Sequence, residues 1–372
     1  MRANDGRLRL VLLDSIPLWG GGQKWDLQAA LSLARRGHFV AIACAESSAL
    51  EARARSAGIP VWSAPVGRLG WRFGSALSLA RFLRRERVTL VIGNVGRDLR
   101  LGAAACWLVG AALLQRRGLM RPLRSGPINR WLYARFVRRV IVNSEALRRL
   151  LLGSAPFLAD RVVLLPNAAD ASQPLAGEGT RLRAELGITS DAKLVGAVGR
   201  LTPMKGFEHL LVAWPLVLEK HPGARLVIFG DGELRSGLEQ QAAGLGIAAS
   251  VTFAGFRSDV GSLYDALDVF VLCSVRDESM SHALLEAMAH ARPVVVSEAA
   301  CGGLGSALER GACRSVPPGD PRALAGAIAD LLGDREERER MGRAARELAL
   351  RDHSLERMTD RLESILREVE AG

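Results

Sequence analysis

The sequence of 372 residues has few cysteines, and none of them stand at a metal-binding or redox spacing. Its cysteines are scattered, odd in number and without a CxxC motif; they are Cys44, Cys106, Cys273, Cys301 and Cys313. A disulfide framework or a structural zinc site would need clustered thiolates, so the pattern argues against both and favours a reducing compartment. No cluster of His, Cys, Asp and Glu has metal-ligand spacing, and we expect no metal and no cofactor.

Long hydrophobic runs are also missing. The longest, Leu101–Leu114, has 14 residues, whereas a membrane-spanning helix needs about 18 or more. It favours the end of a buried helix and the strand that follows. No signal-peptide core and cleavage site follow the first residues. We therefore expect a cytoplasmic protein, either soluble or peripheral on the inner face of the cytoplasmic membrane.

Basic charge is unevenly distributed along the chain. The first 166 residues hold 27 Lys and Arg against 9 Asp and Glu, a net charge of +18, and the remainder has a net charge of −7. Arg116 to Arg149 contains ten arginines and a single acid, Glu145, interleaved with Trp131 and Phe136. Such a basic, aromatic segment suits an anionic membrane surface; solvated arginines are the alternative. No nucleic-acid-binding motif accompanies the charge, so we expect no nucleic-acid partner.

Two blocks of the chain repeat the same pattern, an apolar strand followed by an amphipathic helix. Continuous Val/Ile/Leu-rich strands that alternate with helices indicate α/β domains with doubly wound parallel sheets. A segment rich in Ala, Gly, Ser and Pro, Pro166–Gly179, lies between the blocks and reads as a linker. The predicted strands are Leu8–Leu13, Phe39–Cys44, Thr89–Ile92, Val140–Asn143 and Val162–Leu165, then Leu194–Val198, Arg225–Phe229, Val251–Phe253, Val269–Cys273 and Val294–Val296.

A glycine-rich turn follows the first strand and precedes a helix predicted from about Lys24 to Arg36. Gly20, Gly21 and Gly22 would let backbone amides approach a phosphate or a sugar, and the helix N-terminus favours negative charge. The run does not fit GxGxxG, so a dinucleotide-binding dehydrogenase is disfavoured. A glycine turn alone remains a weak signal, because any tight strand–helix connection uses glycine.

Two cations stand in the loop after the first strand of the second block. Arg200 and Lys205 are five residues apart, with a glycine beside each, in a loop that opens a helix. Fixed donors and compact charge of this kind suit a diphosphate. Only four of the 50 basic residues are lysines, which makes a lysine here unusual. A solvated pair of loop cations is the alternative.

Two glutamates follow the strand Val269–Cys273. Glu278 falls in the loop at the carboxyl end of this strand, and Glu286 lies eight residues later inside a helix, between apolar neighbours. A buried carboxylate needs a partner, and a ribose diol, an arginine or a backbone amide would all serve. His282, at the helix start, could donate to a sugar hydroxyl or phosphate, or could be a capping or surface histidine.

Together these motifs resemble the retaining glycosyltransferases of family 4, in matching order and spacing. The likeness covers nearly the whole chain and is strongest from Val195 to Gly319. It implies the GT-B fold, with two Rossmann-like doubly wound domains facing a central cleft. We therefore expect an acceptor-binding domain over 1–168, a nucleotide-sugar-binding domain over 169–352, and a C-terminal helix over 353–372 that packs back on the first domain.

The resemblance also implies residue roles. The catalytic residues would be Arg200 and Lys205, on the donor diphosphate, and Glu278, on the transferred sugar. Glu286 would bind the ribose. The full donor-binding set would be Gly21, Gly22, Arg200, Lys205, Phe256, Arg257, Ser279, Met280, Ser281, His282 and Glu286.

The acceptor side departs from the family. Many members carry a histidine after the fourth strand of the first domain, whereas this sequence has Ile92-Gly93-Asn94-Val95. Asn94, Arg97 or Asp98 would then take over its sugar contact. The usual Asn-Gly-x-Asp of the interdomain loop reads Asn167-Ala168-Ala169-Asp170.

The resemblance predicts transfer of a hexosyl group from a nucleotide-sugar, with UDP favoured over GDP or ADP, to a lipid-linked or cell-envelope glycan. No protein nucleophile is evident, in keeping with the front-face retaining mechanism usually proposed for the family. Two other functions remain open: a nucleotide-sugar-binding protein that docks on membranes without catalysis, and a nucleotide-sugar epimerase of the same fold.

Overall fold

The computed structural model describes residues 6–67, 70–71, 74–124, 126–169, 177–257, 260–276 and 278–372. The chain divides into two compact units. The first contains Met1–Asn167 together with Leu355–Gly372, and the second contains Ala168–Ser354. Of the expected linker Pro166–Gly179, residues 170–176, and with them Asp170, lie outside the described residues.

The first unit is built on a seven-stranded sheet in which every neighbouring pair is parallel, in the order β3-β2-β1-β6-β7-β8-β9. Its strands are β1 (Arg9–Asp14), β2 (Phe39–Ala45), β3 (Val61–Ala64), β6 (Leu90–Gly93), β7 (Ala112–Arg117), β8 (Val137–Val142) and β9 (Val162–Leu164), and a separate hairpin pairs β4 (Val66–Gly67) with β5 (Gly70–Trp71). Its helices are α1 (Gly21–Arg35), α2 (Ala49–Ser56), α3 (Ser75–Arg85), α4 (Gly96–Val109), α5 (Pro127–Phe136) and α6 (Glu145–Ser154).

The second unit has a six-stranded parallel sheet in the order β12-β11-β10-β13-β14-β15. Its strands are β10 (Leu194–Val198), β11 (Arg225–Phe229), β12 (Val251–Gly255), β13 (Val269–Leu272), β14 (Val294–Ser297) and β15 (Arg314–Val316). Its helices are α7 (Glu178–Glu185), α8 (Phe207–Lys220), α9 (Arg235–Gly244), α10 (Val260–Ala266), α11 (His282–Ala289), α12 (Gly305–Glu309), α13 (Pro321–Gly333) and α14 (Arg335–Asp352).

The strand sequences account for this layering. The central strands are buried almost throughout, because helices cover both faces of each sheet and leave no face for polar side chains. In the second unit, two separate apolar clusters pack on the faces of the sheet, one around Tyr264 and Leu285 and the other around Trp214 and Ile328. The α/β fold class predicted from the sequence is confirmed.

The last helix, α15 (Leu355–Ala371), belongs to the first unit and packs against α1. Its buried face includes Leu362 and Leu366. Arg36 forms ion pairs with two of its acids, at 2.7 Å to Asp360 and 3.2 Å to Glu363. Apolar burial and charge pairing therefore fix the returning chain on the unit where the chain began.

The structure shifts and adds elements at places where the sequence pattern is weak. Helix α1 begins at Gly21 rather than near Lys24, because Gly20 is its N-cap residue and Gly21 and Gly22 already belong to its first turn. Strands β3 and β15 were not predicted from the sequence; both are short edge strands. Strand β7 continues past the apolar run into Gln115 and Arg116, which are buried with polar partners.

Candidate active site

The cationic loop and the first glutamate follow neighbouring strands of the second sheet. Strand β10 pairs with β11 on one side and with β13 on the other, so the strand order reverses between β10 and β13. Ligands of doubly wound sheets bind outside the carboxyl ends of the strands at such a switch point. Arg200 and Lys205 lie after β10, and Glu278 lies after β13. The topology therefore brings together two motifs that are more than 70 residues apart in sequence.

Glycines let the loop after β10 pack against its neighbours. Gly206 has a φ of +68°, and a Cβ atom there would lie 2.3 Å from the carbonyl oxygen of Cys273. At Gly230 (φ +137°) a Cβ atom would lie 1.9 Å from the carbonyl oxygen of Gly199. The amide of Val275 also donates to the carbonyl of Met204 at 2.9 Å. Only glycine permits these approaches, so the loop holds its cations on a fixed backbone.

Lys205 and Glu278 form an ion pair. The Glu278 oxygen that contacts Lys205 also accepts a hydrogen bond from the hydroxyl of Ser274 at 3.1 Å. The side chain of Lys205 is 17 % exposed and that of Glu278 is 12 % exposed, so the pair is largely shielded from water but still partly accessible. The resemblance gave Lys205 to the diphosphate and Glu278 to the sugar; in the structure the two residues are direct partners, and each sets the position of the other.

Arg200 lies in the same loop but differs from Lys205. Its side chain is exposed, and it makes no hydrogen bond or ion pair with any other residue that the structure describes. A guanidinium presents five donors in a planar fork that matches phosphate oxygens. The loop thus combines the ammonium of Lys205, which is paired with Glu278, with the guanidinium of Arg200, which has no such pair among the described residues.

Glu286 lies within α11 and is buried. One of its carboxylate oxygens accepts a hydrogen bond from the hydroxyl of Tyr264 at 3.0 Å. Tyr264 is fully buried, and its pKa is well above the ordinary value because burial and the nearby Glu286 disfavour the phenolate. Among the described residues, the neutral phenol of Tyr264 is therefore one partner of Glu286. The sequence analysis predicted a ribose diol, an arginine or a backbone amide instead.

The remaining donor-side residues fall into two groups. Ser279, Met280, Ser281 and His282 are buried where the chain enters α11. Phe256 and Arg257 follow β12; the Phe256 ring is exposed, whereas Arg257 forms a two-pronged ion pair with Glu185, at 2.5 and 3.1 Å. The Phe256 ring therefore lies at the surface, and the guanidinium of Arg257 is engaged by Glu185.

In the first unit, Gly21 and Gly22 are the first two residues of α1. Gly21 is exposed, Gly22 is half-buried, and the helix has no side-chain cap at its N-terminus. A Cβ atom on Gly22 would lie 3.8 Å from a carboxylate oxygen of Asp14, at the end of β1. The glycine turn therefore passes close to a buried acid.

That acid belongs to a polar cluster at the switch point of the first sheet, between β1 and β6. The side-chain amide of Asn94 donates to Asp14 at 3.0 Å and to Asp26 at 2.6 Å. Gln23 donates to the same oxygen of Asp14 at 2.7 Å. The buried guanidinium of Arg116 stacks 4.4 Å from the ring of Trp25.

Burial acts on all three charged groups of this cluster. It raises the pKa of Asp14, and burial together with the charge of Asp14 raises the pKa of Asp26 well above its ordinary value. Burial lowers the pKa of Arg116 to about 10, which still leaves the guanidinium charged at neutral pH. The attraction of this guanidinium opposes the rise in pKa at both acids and so offsets part of the desolvation penalty.

The other two acceptor-side candidates have local partners. Arg97 donates to the carbonyl oxygen of Ser15 at 3.0 Å and to its hydroxyl. Asp98 is fully buried and accepts from the amide of Val95 at 3.0 Å, and burial raises its pKa to about 7. Both side chains hold the loops after β1 and β6 together.

Sequence reasoning missed Asp14, Asp26, Arg116, Ser274 and Tyr264. A usable signal existed for three of them, since Asp14, Arg116 and Ser274 are polar residues at or just after the carboxyl ends of predicted apolar strands. Arg116 also corrects the surface interpretation of the basic segment, because it is buried in the polar cluster. Asp26 and Tyr264 lie within helices, and their neighbours in space are distant in sequence.

Two family models match the chain. Glycosyltransferase Family 4 matches residues 19–173, and Glycosyl transferases group 1 matches residues 179–348. The chain belongs to the family 4 glycosyltransferases. It is 33 % identical over 178 residues to the lipopolysaccharide core biosynthesis glycosyltransferase LpsE of Rhizobium meliloti, covering 48 % of this chain and 51 % of that protein. It is 31 % identical over 252 residues to the alpha-D-kanosaminyltransferase of Streptomyces kanamyceticus, covering 65 % and 64 %.

Solved structures confirm the fold of this family 4 chain. HepE of Anabaena in complex with UDP-glucose superposes with a TM-score of 0.83 at 22 % identity, covering 97 % of this chain and 100 % of that one. The fold is thus GT-B in type, as predicted. The chain spans about half of the length of LpsE and about two-thirds of the length of the kanosaminyltransferase.

The described residues offer neither a metal site nor a membrane-spanning helix. They contain no group of three or more His, Cys, Asp and Glu side chains that could hold a metal ion. Within the same residues, none of the helices combines the length and the apolar character needed to cross a bilayer.

Proposed function

We propose that this family 4 chain transfers a hexosyl group from a nucleotide-sugar, with UDP preferred over GDP or ADP, to a lipid-linked or cell-envelope glycan, with retention of anomeric configuration. The observation that carries the proposal is the site at the switch point of the second sheet, where an uncommitted Arg200 stands in the same loop as the Lys205–Glu278 pair. The UDP-glucose complex of HepE supports the donor class, and the activity named for LpsE supports the acceptor class.

The chemistry follows from the charges. Cleavage of the bond between the anomeric carbon and the diphosphate builds positive charge on the sugar and negative charge on the leaving phosphate. Arg200 and Lys205 stabilise that negative charge with donors already in place, the kind of preorganised electrostatic effect that usually contributes most to catalysis. Because two cations balance the diphosphate, the step needs no metal and no cofactor. The acceptor hydroxyl oxygen bonds to the anomeric carbon as the bond to the diphosphate breaks, and its proton goes to the leaving phosphate, so the step needs no protein base.

The pair with Glu278 gives Lys205 a second role. In the donor-free protein Glu278 holds the ammonium in the loop, and an arriving diphosphate gives Lys205 another anion to bind. Glu278 then turns an oxygen to the hydroxyls of the transferred sugar, while Ser274 keeps the carboxylate oriented. Glu286, held by Tyr264, binds the ribose. The segment from Ser279 to His282 and the exposed Phe256 contact the sugar, phosphates and base.

On the acceptor side, Asn94 is the group best placed to act. Both carboxyl groups face its nitrogen, which fixes the amide orientation and leaves the carbonyl oxygen without a partner among the described residues. The carbonyl oxygen of Asn94, which is buried in the donor-free protein, therefore accepts a hydrogen bond from a substrate hydroxyl once substrate opens access to it, whereas Arg97 and Asp98 position the loops around it. We place the protein on the cytoplasmic side of an anionic membrane surface, with the basic segment of the first unit facing the lipid.

Donor binding and turnover test the cationic loop. Arg200→Ala and Lys205→Ala each remove a charge-assisted contact of about 1.5–3 kcal/mol, so turnover should fall roughly tenfold or more. A thermal-shift screen with UDP-, GDP- and ADP-sugars identifies the donor, because a bound ligand raises apparent stability. Lys220→Ala, on the exposed end of α8, is the matched control. If both loop variants bind donor and turn over normally, the phosphate assignment is wrong.

Calorimetry with bare nucleotide diphosphate separates the two glutamates. Glu286→Ala should weaken the nucleotide, since the ribose belongs to it, whereas Glu278→Ala should leave nucleotide affinity nearly unchanged and lower sugar transfer. Tyr264→Phe removes a hydrogen bond to Glu286 but keeps the carboxylate, so it should weaken the nucleotide less than Glu286→Ala. Equal losses in both glutamate variants would overturn the division of roles. Turnover of a nucleotide-sugar without acceptor would instead indicate an epimerase.

A further inference from the structure

A cavity of about 570 Å³ opens in the first unit, at the amino-terminal edge of β7 and β8. The end of α4, the end of α5 and the starts of both strands enclose it. Its walls combine cationic and aromatic side chains: Trp107, Arg135, Phe136, Arg138, Arg139 and Arg161. The sequence pointed to a basic segment here but gave no indication that it surrounds a cavity.

Within the described part of the chain, the arginines around this cavity have no acidic partners. None of the four forms an ion pair with a carboxylate among the residues that the structure describes. One terminal nitrogen of Arg161 donates to the carbonyl oxygens of Tyr133, Ala134 and Val137, at 2.8–3.1 Å, which fixes the end of α5 against the start of β8. A recess lined by cations without counter-charges favours an anion, and guanidinium groups match phosphate oxygens best.

Large apolar side chains stand exposed in the cavity wall and along the helix that borders it. Trp107, in its wall, is 66 % exposed. On α5, Ile128 and Trp131 are 79 % and 59 % exposed, and the Trp131 ring lies 5.3 Å from the ring of Phe136 in an edge-to-face arrangement. A soluble phosphate compound would leave this apolar surface in water, whereas a lipid headgroup layer would cover it.

We propose that this cavity binds the phosphate headgroup of an anionic membrane lipid, with Trp107, Ile128 and Trp131 entering the headgroup layer around it. The inference rests on the membrane side of the proposed function and deepens it, because it replaces attraction to a diffuse basic face with a defined binding site. The cavity lies at the opposite edge of the sheet from Asp14 and Asn94, which follow the carboxyl ends of β1 and β6. Lipid binding there leaves the strand-end cluster free.

Sedimentation with vesicles tests the site. The full chain should bind vesicles of phosphatidylcholine with phosphatidylglycerol and not vesicles of phosphatidylcholine alone. Arg138→Gln combined with Arg139→Gln should weaken binding roughly tenfold or more. Arg81→Gln combined with Arg149→Gln is the matched control, since it removes the same charge from exposed arginines of the first unit outside the cavity. Equal losses in the two double variants would overturn the site in favour of diffuse attraction.

A second variant separates the cavity from simple partitioning. Ala134 is an exposed residue in the cavity wall, and Ala134→Trp fills space without changing any charge. Partitioning alone predicts tighter vesicle binding, because tryptophan favours the membrane interface; the headgroup site predicts weaker binding. Tighter binding would therefore overturn the proposal. Thermal stabilisation by glycerol 3-phosphate as strong as that by the vesicles would also overturn it, in favour of a soluble phosphate ligand.

The outcomes keep this inference apart from the glycosyl transfer proposal. All variants should keep the thermal shift produced by UDP-glucose, since none of these residues is in the donor site. Wild-type protein that binds UDP-glucose but ignores anionic vesicles at low salt would overturn the headgroup site and leave donor binding intact. Loss of donor binding with retained vesicle binding would count against the transfer proposal alone.

Discussion

Each unit carries a cluster of polar side chains near the ends of the strands that flank the switch point of its sheet. The two clusters differ in burial and in how many of their polar groups have hydrogen-bond or ion-pair partners within the protein. In the first unit, Asp14 and Asp26 are buried and receive the side-chain amide of Asn94. In the second, Arg200 is exposed and the Lys205–Glu278 pair is open on one side. The first switch point therefore has most of its polar groups bonded within the protein and leaves one amide oxygen, that of Asn94, without a partner among the described residues, whereas the second retains charge available for a ligand.

The difference has a physical cause. A buried carboxyl group is tolerated when it is neutral or paired, and the raised pKa of Asp26 together with the Arg116 guanidinium meets that condition. An exposed guanidinium needs no protein partner, because water solvates it until a phosphate arrives. The same fold position can thus be largely satisfied within the protein in one unit and charged and exposed to a ligand in the other. Three experiments challenge this contrast.

The largest expected effect is a pH dependence at Asp98. Its pKa of about 7, against an ordinary 3.8, means that the folded state prefers the neutral acid. Its contribution to stability is complete below about pH 4 and is lost as the pH rises through 7, by about 4 kcal/mol for a shift of about three units. Asp98→Asn stays neutral and can still accept from Val95, so it should gain stability relative to wild type between pH 4 and pH 8.

Urea unfolding of both proteins at pH 4 and pH 8 measures that gain. A difference between variant and wild type that stays constant with pH would show that Asp98 is ionised in the folded protein. It would then remain a candidate for a substrate contact. Asp98→Ala, which loses the bond to Val95 as well, should be less stable than Asp98→Asn at both values.

The next effect concerns Asn94. Asn94→Asp puts a third carboxyl group beside Asp14 and Asp26 and removes the donor that they share, so the free energy of unfolding at neutral pH should fall by about 2–4 kcal/mol. Asp26→Asn is the control, because it keeps a neutral acceptor for Asn94 and should stay within about 1 kcal/mol of wild type. If Asn94→Asp unfolds at the wild-type urea concentration, the cluster is open to solvent and the contrast between the units fails.

The smallest effect is the coupling of Lys205 with Glu278. A double-mutant cycle of Lys205→Ala and Glu278→Ala, read by urea unfolding without donor, should give an interaction of about 1–2 kcal/mol. The matched cycle of Arg200→Ala with Glu278→Ala should give nearly none, because Arg200 forms no ion pair among the described residues. Equal coupling in both cycles would contradict the separate roles of the two cations.

Local patterns were enough to predict the fold class and the motifs of this chain. Apolar strands alternating with helices indicated parallel sheets, because a buried strand must be apolar on both faces. Gly206 and the two cations of its loop were readable as a phosphate motif, because glycine and charge act over a few residues. The short edge strands β3 and β15 escaped prediction, since so few residues carry little periodicity.

Tertiary structure alone decided which polar groups meet. Lys205 pairs with Glu278 across 73 residues of sequence, and Asn94 bonds to Asp14 across 80. These partners face each other because parallel strands bring the loops at their carboxyl ends together, whatever the separation along the chain. The burial that raises the pKa of Asp26 and the exposure of Arg200 are likewise properties of the packed sheet and its helices. The sequence by itself determined which side chains were available; their partners and their protonation depended on the environment that folding created.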